Sequence, residues 1–239
     1  MMHCAEYCLE MPDEFPIEEL TQFMATARRV LLSPAQSPAW KEFAGASNLV
    51  GWRFRASSDD WLAYKKSLVI FGDSADHEEL YRRERALFGM FSAGVSCIES
   101  TTYALAALAS HPAVLSLPFG PVEQRVCSPR KLVDWLAPHA SATQLAGVLS
   151  GLVASREWVR WVELRNRMTH RSNLPRIHVV SVGAPPLITK PLNFAPTSST
   201  PPVEAETSDF DGLHDWLAKS LGALLLHGRQ LAVSGRGDR

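Results

Sequence analysis

Apolar side chains recur at three- and four-residue steps along most of the chain, the pattern of helices that bury one face. Over 17–32, Ile17, Leu20, Met24, Ala27 and Leu31 form such a stripe, with Pro16 near its start and Pro34 just beyond its end. The most regular stretch covers 76–109 and is expected to be the longest element. Leu80, Leu87, Phe91, Val95, Ile98, Thr102, Leu105 and Leu108 share one face there, and His111-Pro112 closes it. Its first turns carry charges over 78–85 and read as solvated or interfacial, whereas its later turns are almost uncharged and read as buried. A short helix over 128–138 has Ser128 as N-cap and Pro129 at its first position. A second long helical region over 141–170 is lined by Leu145, Val148, Leu149, Leu152, Trp158, Trp161, Val162, Leu164 and Met168, with Gly147 and Gly151 as points of bending. The final helix starts at Asp209 or Asp211, reaches Val233, and buries Leu213, Trp216, Leu217, Leu221, Leu224, Leu225 and Leu231.

Between these stripes the periodicity fades. Residues 33–58 contain Pro34, Pro38, Gly45 and Gly51 and read as irregular, pinned to the core by Trp40, Phe43, Trp52 and Phe54. Residues 114–126 form a proline-marked connection. Residues 173–208 hold seven prolines among many Ser and Thr and read as an exposed, mobile loop, with one short strand over 176–182. No internal repeat is present. The sum is an all-α bundle of four to five helices with a proline-rich insertion. Residues 1–72 supply an N-terminal helix and an irregular segment, packed on a bundle formed by 73–239 in a single overall domain.

Composition changes this picture little. At 239 residues, 46% hydrophobic and 21% charged, the chain can bury a sizeable core. A net charge of −1 argues against coating nucleic acid or membrane through bulk charge, while leaving room for a local basic site. Four cysteines do not make a disulfide scaffold, and no second Cys/His pair follows Cys4 and Cys8 at zinc-site spacing, so they read as free thiols on a frayed terminus. No secretory leader is visible, and three prolines interrupt the uncharged stretch over 100–122, so a cytoplasmic protein without a membrane span is expected. The chain has no P-loop, dinucleotide glycine fingerprint or nucleophile elbow. The other histidines, His214 among them, are scattered and read as surface or capping groups. The Asp59-Asp60 and Glu78-Glu79 pairs read as solvated.

Chemistry concentrates in 156–176, where six arginines face only Glu157 and Glu163. Such a cluster suits phosphate-bearing ligands, although Glu163 and Arg167 also stand at the spacing of a helical ion pair. Asn166 and His170 lie four apart on one helix face, and Arg165 stands about 140° round from His170. A guanidinium remains charged and holds phosphate through paired hydrogen bonds, while an imidazole exchanges protons near neutrality. Glu99 is the one carboxylate in the apolar part of the long helix. It calls for a cationic partner, either in a core ion pair or behind an arginine at a site.

The run Leu164-Arg-Asn-Arg-Met-Thr-His-Arg171, at the end of one long helix and preceded by another, resembles the signature of the HEPN superfamily: an Arg, a polar residue, and a His after four to six intervening residues. The resemblance covers roughly 76–172. It implies a helical bundle that pairs as a homodimer, with both motifs lining one cleft. It also implies an endoribonuclease that cuts RNA without metal or other cofactor and leaves a 2′,3′-cyclic phosphate. His170 would move the proton, Arg165 would stabilise phosphate charge, and Asn166 would hold either partner. Arg167 and Arg171 would bind flanking phosphates. A toxin or defence protein with an antitoxin or regulatory partner fits the same reading. Two alternatives stand beside it. One is a non-catalytic HEPN-like protein binding RNA, a nucleotide or a protein. The other is a purely structural bundle in which His170 caps its helix.

Overall fold

The computed structural model of the chain describes residues 1–32, 38–170, 192–194, 203–205 and 207–234; the side chains of Asp73, His170, 192–194, 203–205 and Thr207 lie outside that description. Among the described residues the chain is an all-α bundle of eight α-helices with two small hairpins. The helices are α1 (Ile17–Leu31), α2 (Pro38–Phe71), α3 (His77–Ala109), α4 (Pro121–Val126), α5 (Pro129–Leu136), α6 (Thr143–Ala154), α7 (Arg156–His170) and α8 (Thr207–Ser234). The hairpins pair β1 (Met2–Cys4) with β2 (Leu9–Met11), and β3 (Leu192–Phe194) with β4 (Val203–Ala205). More helices exist than the hydrophobic pattern counted. The strand expected over 176–182 lies outside the described residues.

The largest departure from expectation is α2. Residues 38–58 are not irregular but open a 34-residue helix, one residue longer than α3. Its buried stripe runs through Phe43, Ser47, Val50, Phe54, Ser57, Ser58, Trp61, Tyr64 and Ser67. The serines dilute the apolar signal, yet each is bonded: Ser47 Oγ donates to the Phe43 carbonyl at 2.7 Å and Ser57 Oγ to the Met90 carbonyl of α3 at 3.0 Å. Pro38 stands at the first helical position, where its missing N–H costs nothing. Gly51 is covered by the Tyr7 ring, whose hydroxyl donates to the Ser47 carbonyl at 2.8 Å. Phe43 and Phe54 do reach the core, whereas Trp52 is exposed.

After α2 the chain reverses through Gly72, at φ +50°, and α3 returns antiparallel. Asp76 caps α3 by accepting from the Glu79 N–H at 2.8 Å. The start of α3 is less solvated than its charges suggest. Glu79 and Arg83 are buried, and Arg83 clasps the turn: Nε donates to Ser67 Oγ at 2.6 Å, Nη2 to the Ser67 carbonyl at 2.9 Å and Nη1 to the Gly72 carbonyl at 2.9 Å. The N-terminus is not frayed: Cys4 and Met11 of the first hairpin are fully buried, while Cys8 is exposed. No described helix is long and apolar enough to cross a membrane, and no described cluster of His, Cys, Asp or Glu could hold a metal ion.

The region over 141–170 breaks once, at Ser155 rather than at either glycine. Ser155 leaves the helical path (φ −68°, ψ 146°). Its hydroxyl donates to the Leu152 carbonyl at 2.8 Å and accepts from the Trp158 N–H at 3.1 Å, ending α6 and starting α7 together. The site depends on where α7 then lies. Trp161 is fully buried, its indole N–H donates to the Leu213 carbonyl of α8 at 3.2 Å, and its ring meets Phe91 of α3 edge-on at 5.4 Å. The same ring rests on Gly94 of α3, where any side chain would collide with it.

Candidate functional site

One turn beyond Trp161, α7 emerges at the wall of an open cavity of about 590 Å³. Val153 of α6 together with Trp158, Val159 and Val162 of α7 provide an apolar side. Ser128, Pro129 and Arg130 at the head of α5 close another, and Glu99 reaches in from α3. Ser128 caps α5 by accepting from the Lys131 N–H at 3.3 Å, which fixes where Arg130 starts.

Arg165 and Asn166 both line this cavity. The Arg165 side chain is 31% exposed, and among the described residues its ionic partner is Glu99, at 4.0 Å. That separation is too long for a hydrogen bond, so the pair is a through-space attraction. Arg165 Nε is buried and, among the described residues, has no hydrogen-bond partner. A buried N–H without an acceptor costs about 1–3 kcal/mol. A bound anion would relieve that cost. Asn166 is half-buried beside it.

Glu99 is not the buried core carboxylate that its apolar surroundings suggested: its side chain is 45% exposed, at the cavity rim. Desolvation still raises its carboxyl above the ordinary range, opposed by the positive charge of Arg165. The cationic partner it calls for is therefore the motif arginine itself.

Arg167 departs from expectation. It is 2% exposed, and its guanidinium closes on Glu163, with Nη2 at 2.5 Å and Nε at 3.1 Å from Oε1. It is a buried structural cation, not a free phosphate ligand; the ion-pair spacing of Glu163 and Arg167 is the reading the structure realises. His170 is the last residue of α7, and the helix is still regular one residue earlier, where Thr169 Oγ1 donates to the Arg165 carbonyl at 2.8 Å. The His170 side chain and Arg171 lie outside the described residues.

Arg130 escaped the sequence reading. Its only signal was the Ser128-Pro129 helix start before it, and nothing in linear order tied that start to α7. Elsewhere, His214 is not a surface group: it is buried against Phe54, with Nε2 2.7 Å from Ser58 Oγ. Desolvation pushes its pKa below the ordinary histidine value and Lys65 adds to this, while Glu14, Asp215 and Asp211 oppose. Nor are both acidic pairs solvated, since Glu79 is buried and burial raises the Asp60 carboxyl above its usual range.

No protein-family model matches this chain, no curated protein matches it in sequence, and no solved structure matches it in fold.

Proposed function

We propose that the chain is a metal-independent endoribonuclease of HEPN type, working through Arg165, Asn166 and His170. The observation that supports this reading is the state of Arg165: a partly exposed side chain at a cavity wall whose buried Nε, among the described residues, has no partner and whose nearest carboxylate there stands at 4.0 Å. A scissile phosphate beside it would supply the missing acceptor and gain a charge-assisted contact that strengthens as negative charge develops. His170, five residues on, would take the proton of the ribose 2′-hydroxyl. O2′ then bonds to phosphorus, the P–O5′ bond breaks, and a proton returns to the leaving oxygen. The products are a 2′,3′-cyclic phosphate and a 5′-hydroxyl. Asn166 would hold the phosphate or the imidazole, and Glu99 would set the direction of Arg165. A homodimer joining two such sites, and a toxin or defence role with a neutralising protein partner, belong to the same proposal.

The test is cleavage of single-stranded RNA in EDTA by wild type, Arg165→Ala and His170→Ala. Wild-type cleavage with a loss of about 10³-fold in each variant is expected. Activity retained by both variants, or abolished by EDTA, sinks the reading.

One observation favours a second reading. Val153, Trp158, Val159 and Val162 make the cavity wall apolar, as in pockets that hold a nucleobase or other planar ligand without turning it over. Saturable nucleotide binding with no product in any variant would support it.

A further inference from the structure

The cavity beside Arg165 has two unlike edges. At the helical turn per residue, Glu163 stands about 100° to one side of Val162 and Arg165 about 60° to the other. Val159 and Asn166 fall between them, and all of these residues line the cavity. A cation therefore borders one edge of this face of α7 and a carboxylate the other, with Val159 and Val162 across the middle.

The two edges offer opposite hydrogen-bonding groups. Arg165 Nε is a buried donor with no acceptor among the described residues. Glu163 offers the converse. Its Oε1 takes both bonds from Arg167, at 3.1 Å from Nε and 2.5 Å from Nη2, which uses both lone pairs of that oxygen. Oε2 accepts from no donor among the described residues, and the Glu163 side chain is 38% exposed at the cavity. Arg167 itself is buried, so the carboxylate is tethered to a cation packed inside the fold. Glu163 is thus a fixed acceptor, unlike a glutamate that sweeps freely through solvent.

A planar ligand with an anion at one end and hydrogen-bond donors at the other matches this order of groups. Among the four RNA bases, guanine alone places two adjacent donors, N1–H and the N2 amino group, on its Watson–Crick edge. Adenine and cytosine set a ring-nitrogen acceptor beside their amino group, and uracil flanks its single N–H with two carbonyls. Those lone pairs would face a carboxylate that can only accept.

We infer that Glu163, positioned by Arg167, selects guanine. The base lies on Val159 and Val162 with its N1–H and N2 amino edge on Glu163 Oε2, and a phosphate of the same nucleotide lies on Arg165. The inference rests on Arg165 as the phosphate seat of the ribonuclease reading and adds the base that reading leaves open.

The experiment measures, by calorimetry on the full chain, binding of the 5′-monophosphates of guanosine, adenosine, cytidine, uridine, inosine and 7-deazaguanosine. Beside it, a random-sequence RNA is incubated with the protein and the cut ends are sequenced. Wild type is expected to favour guanosine over adenosine, cytidine and uridine by about 10-fold or more. Inosine, which lacks only the N2 amino group, should lose most of that preference. The 7-deaza analogue, altered only on the opposite edge, should keep it. Guanine should be enriched at one of the two nucleotides flanking each cut. Glu163→Gln keeps an oxygen for Arg167 and turns an N–H donor to the cavity, so it should abolish the preference, with a thermal scan to check the fold. If that variant melts early because Arg167 has lost its charge partner, the inosine comparison on wild type decides. Arg165→Ala should weaken every monophosphate alike and leave the guanine ratio unchanged. Equal binding of the bases or none, inosine bound as well as guanosine, or a preference kept by folded Glu163→Gln overturns the inference. RNA cut without guanine preference at either flank also overturns it and leaves the ribonuclease reading standing. Guanine-selective binding with no cleavage does the reverse.

Discussion

The two halves of α7 are built to opposite ends. In the first half, Trp161 and Leu164 are committed to the fold: Trp161 is sealed between Gly94, Phe91 and the Leu213 carbonyl, and Leu164 is fully buried. From Arg165 onward the commitment weakens. Among the described residues Arg165 has a carboxylate at 4.0 Å and a buried N–H without an acceptor, and Asn166 is half-buried at a cavity. At Trp161 the indole N–H is met by a carbonyl of the fold; at Arg165 the Nε N–H, among the described residues, is met by no acceptor, which leaves room for a ligand to meet it. Arg167 sharpens the lesson, because it sits among the loosely held residues and yet is buried and paired with Glu163.

Trp161→Ala should show the largest stability effect, lowering unfolding free energy by about 3–5 kcal/mol in urea titration, since it empties a large interior volume and strands a carbonyl. Arg165→Ala should behave in the opposite way, removing activity while leaving urea stability within about 1 kcal/mol. It deletes only a weak rim ion pair and one unsatisfied N–H. A loss as large as that of Trp161→Ala would place Arg165 with the structural half and erase the contrast. Ser155→Ala should cost about 1 kcal/mol through the lost cap, read in the same titration, because one hydroxyl serves both helix ends.

The smallest effect concerns pH. His214 is held neutral in the fold, with a pKa below its unfolded value of about 6.5. The unfolded chain therefore binds the extra proton first. Stability is complete above that value and declines as pH falls through it. The melting temperature should drop between pH 7.5 and pH 5.5 in wild type, and drop less in His214→Gln; equal drops would remove His214 as the cause.

The fold was legible wherever helices bury hydrocarbon. The ends of α1 and α3 follow from proline punctuation and unbroken apolar stripes, whereas α8 already starts at Thr207, before the Asp209 or Asp211 expected to open it. The fold was illegible in α2, because its buried face is one-third serine and its glycines looked like breaks. In truth Gly51 makes room for an aromatic ring, and Gly45 leaves a notch at the surface. The break in the 141–170 region was foreseen but placed on glycines, since a serine that caps in both directions leaves no compositional trace. In the candidate site, spacing along one helix was enough to group Arg165, Asn166 and His170. What crosses between helices was not readable: Glu99 opposite Arg165 rather than in the interior, Arg130 arriving from α5, and Arg167 turned inward.

The keying of Trp161 into Gly94 fixes the angular setting of α7 about its own axis, as a pin sets a dial. Each residue added or removed between that pin and Arg165 would swing the guanidinium by about 100° and carry it off Glu99 and the cavity. Among divergent copies of this chain, side chains on the outer face can drift freely. The count of residues from the tryptophan to the arginine should be the interval that insertions and deletions avoid.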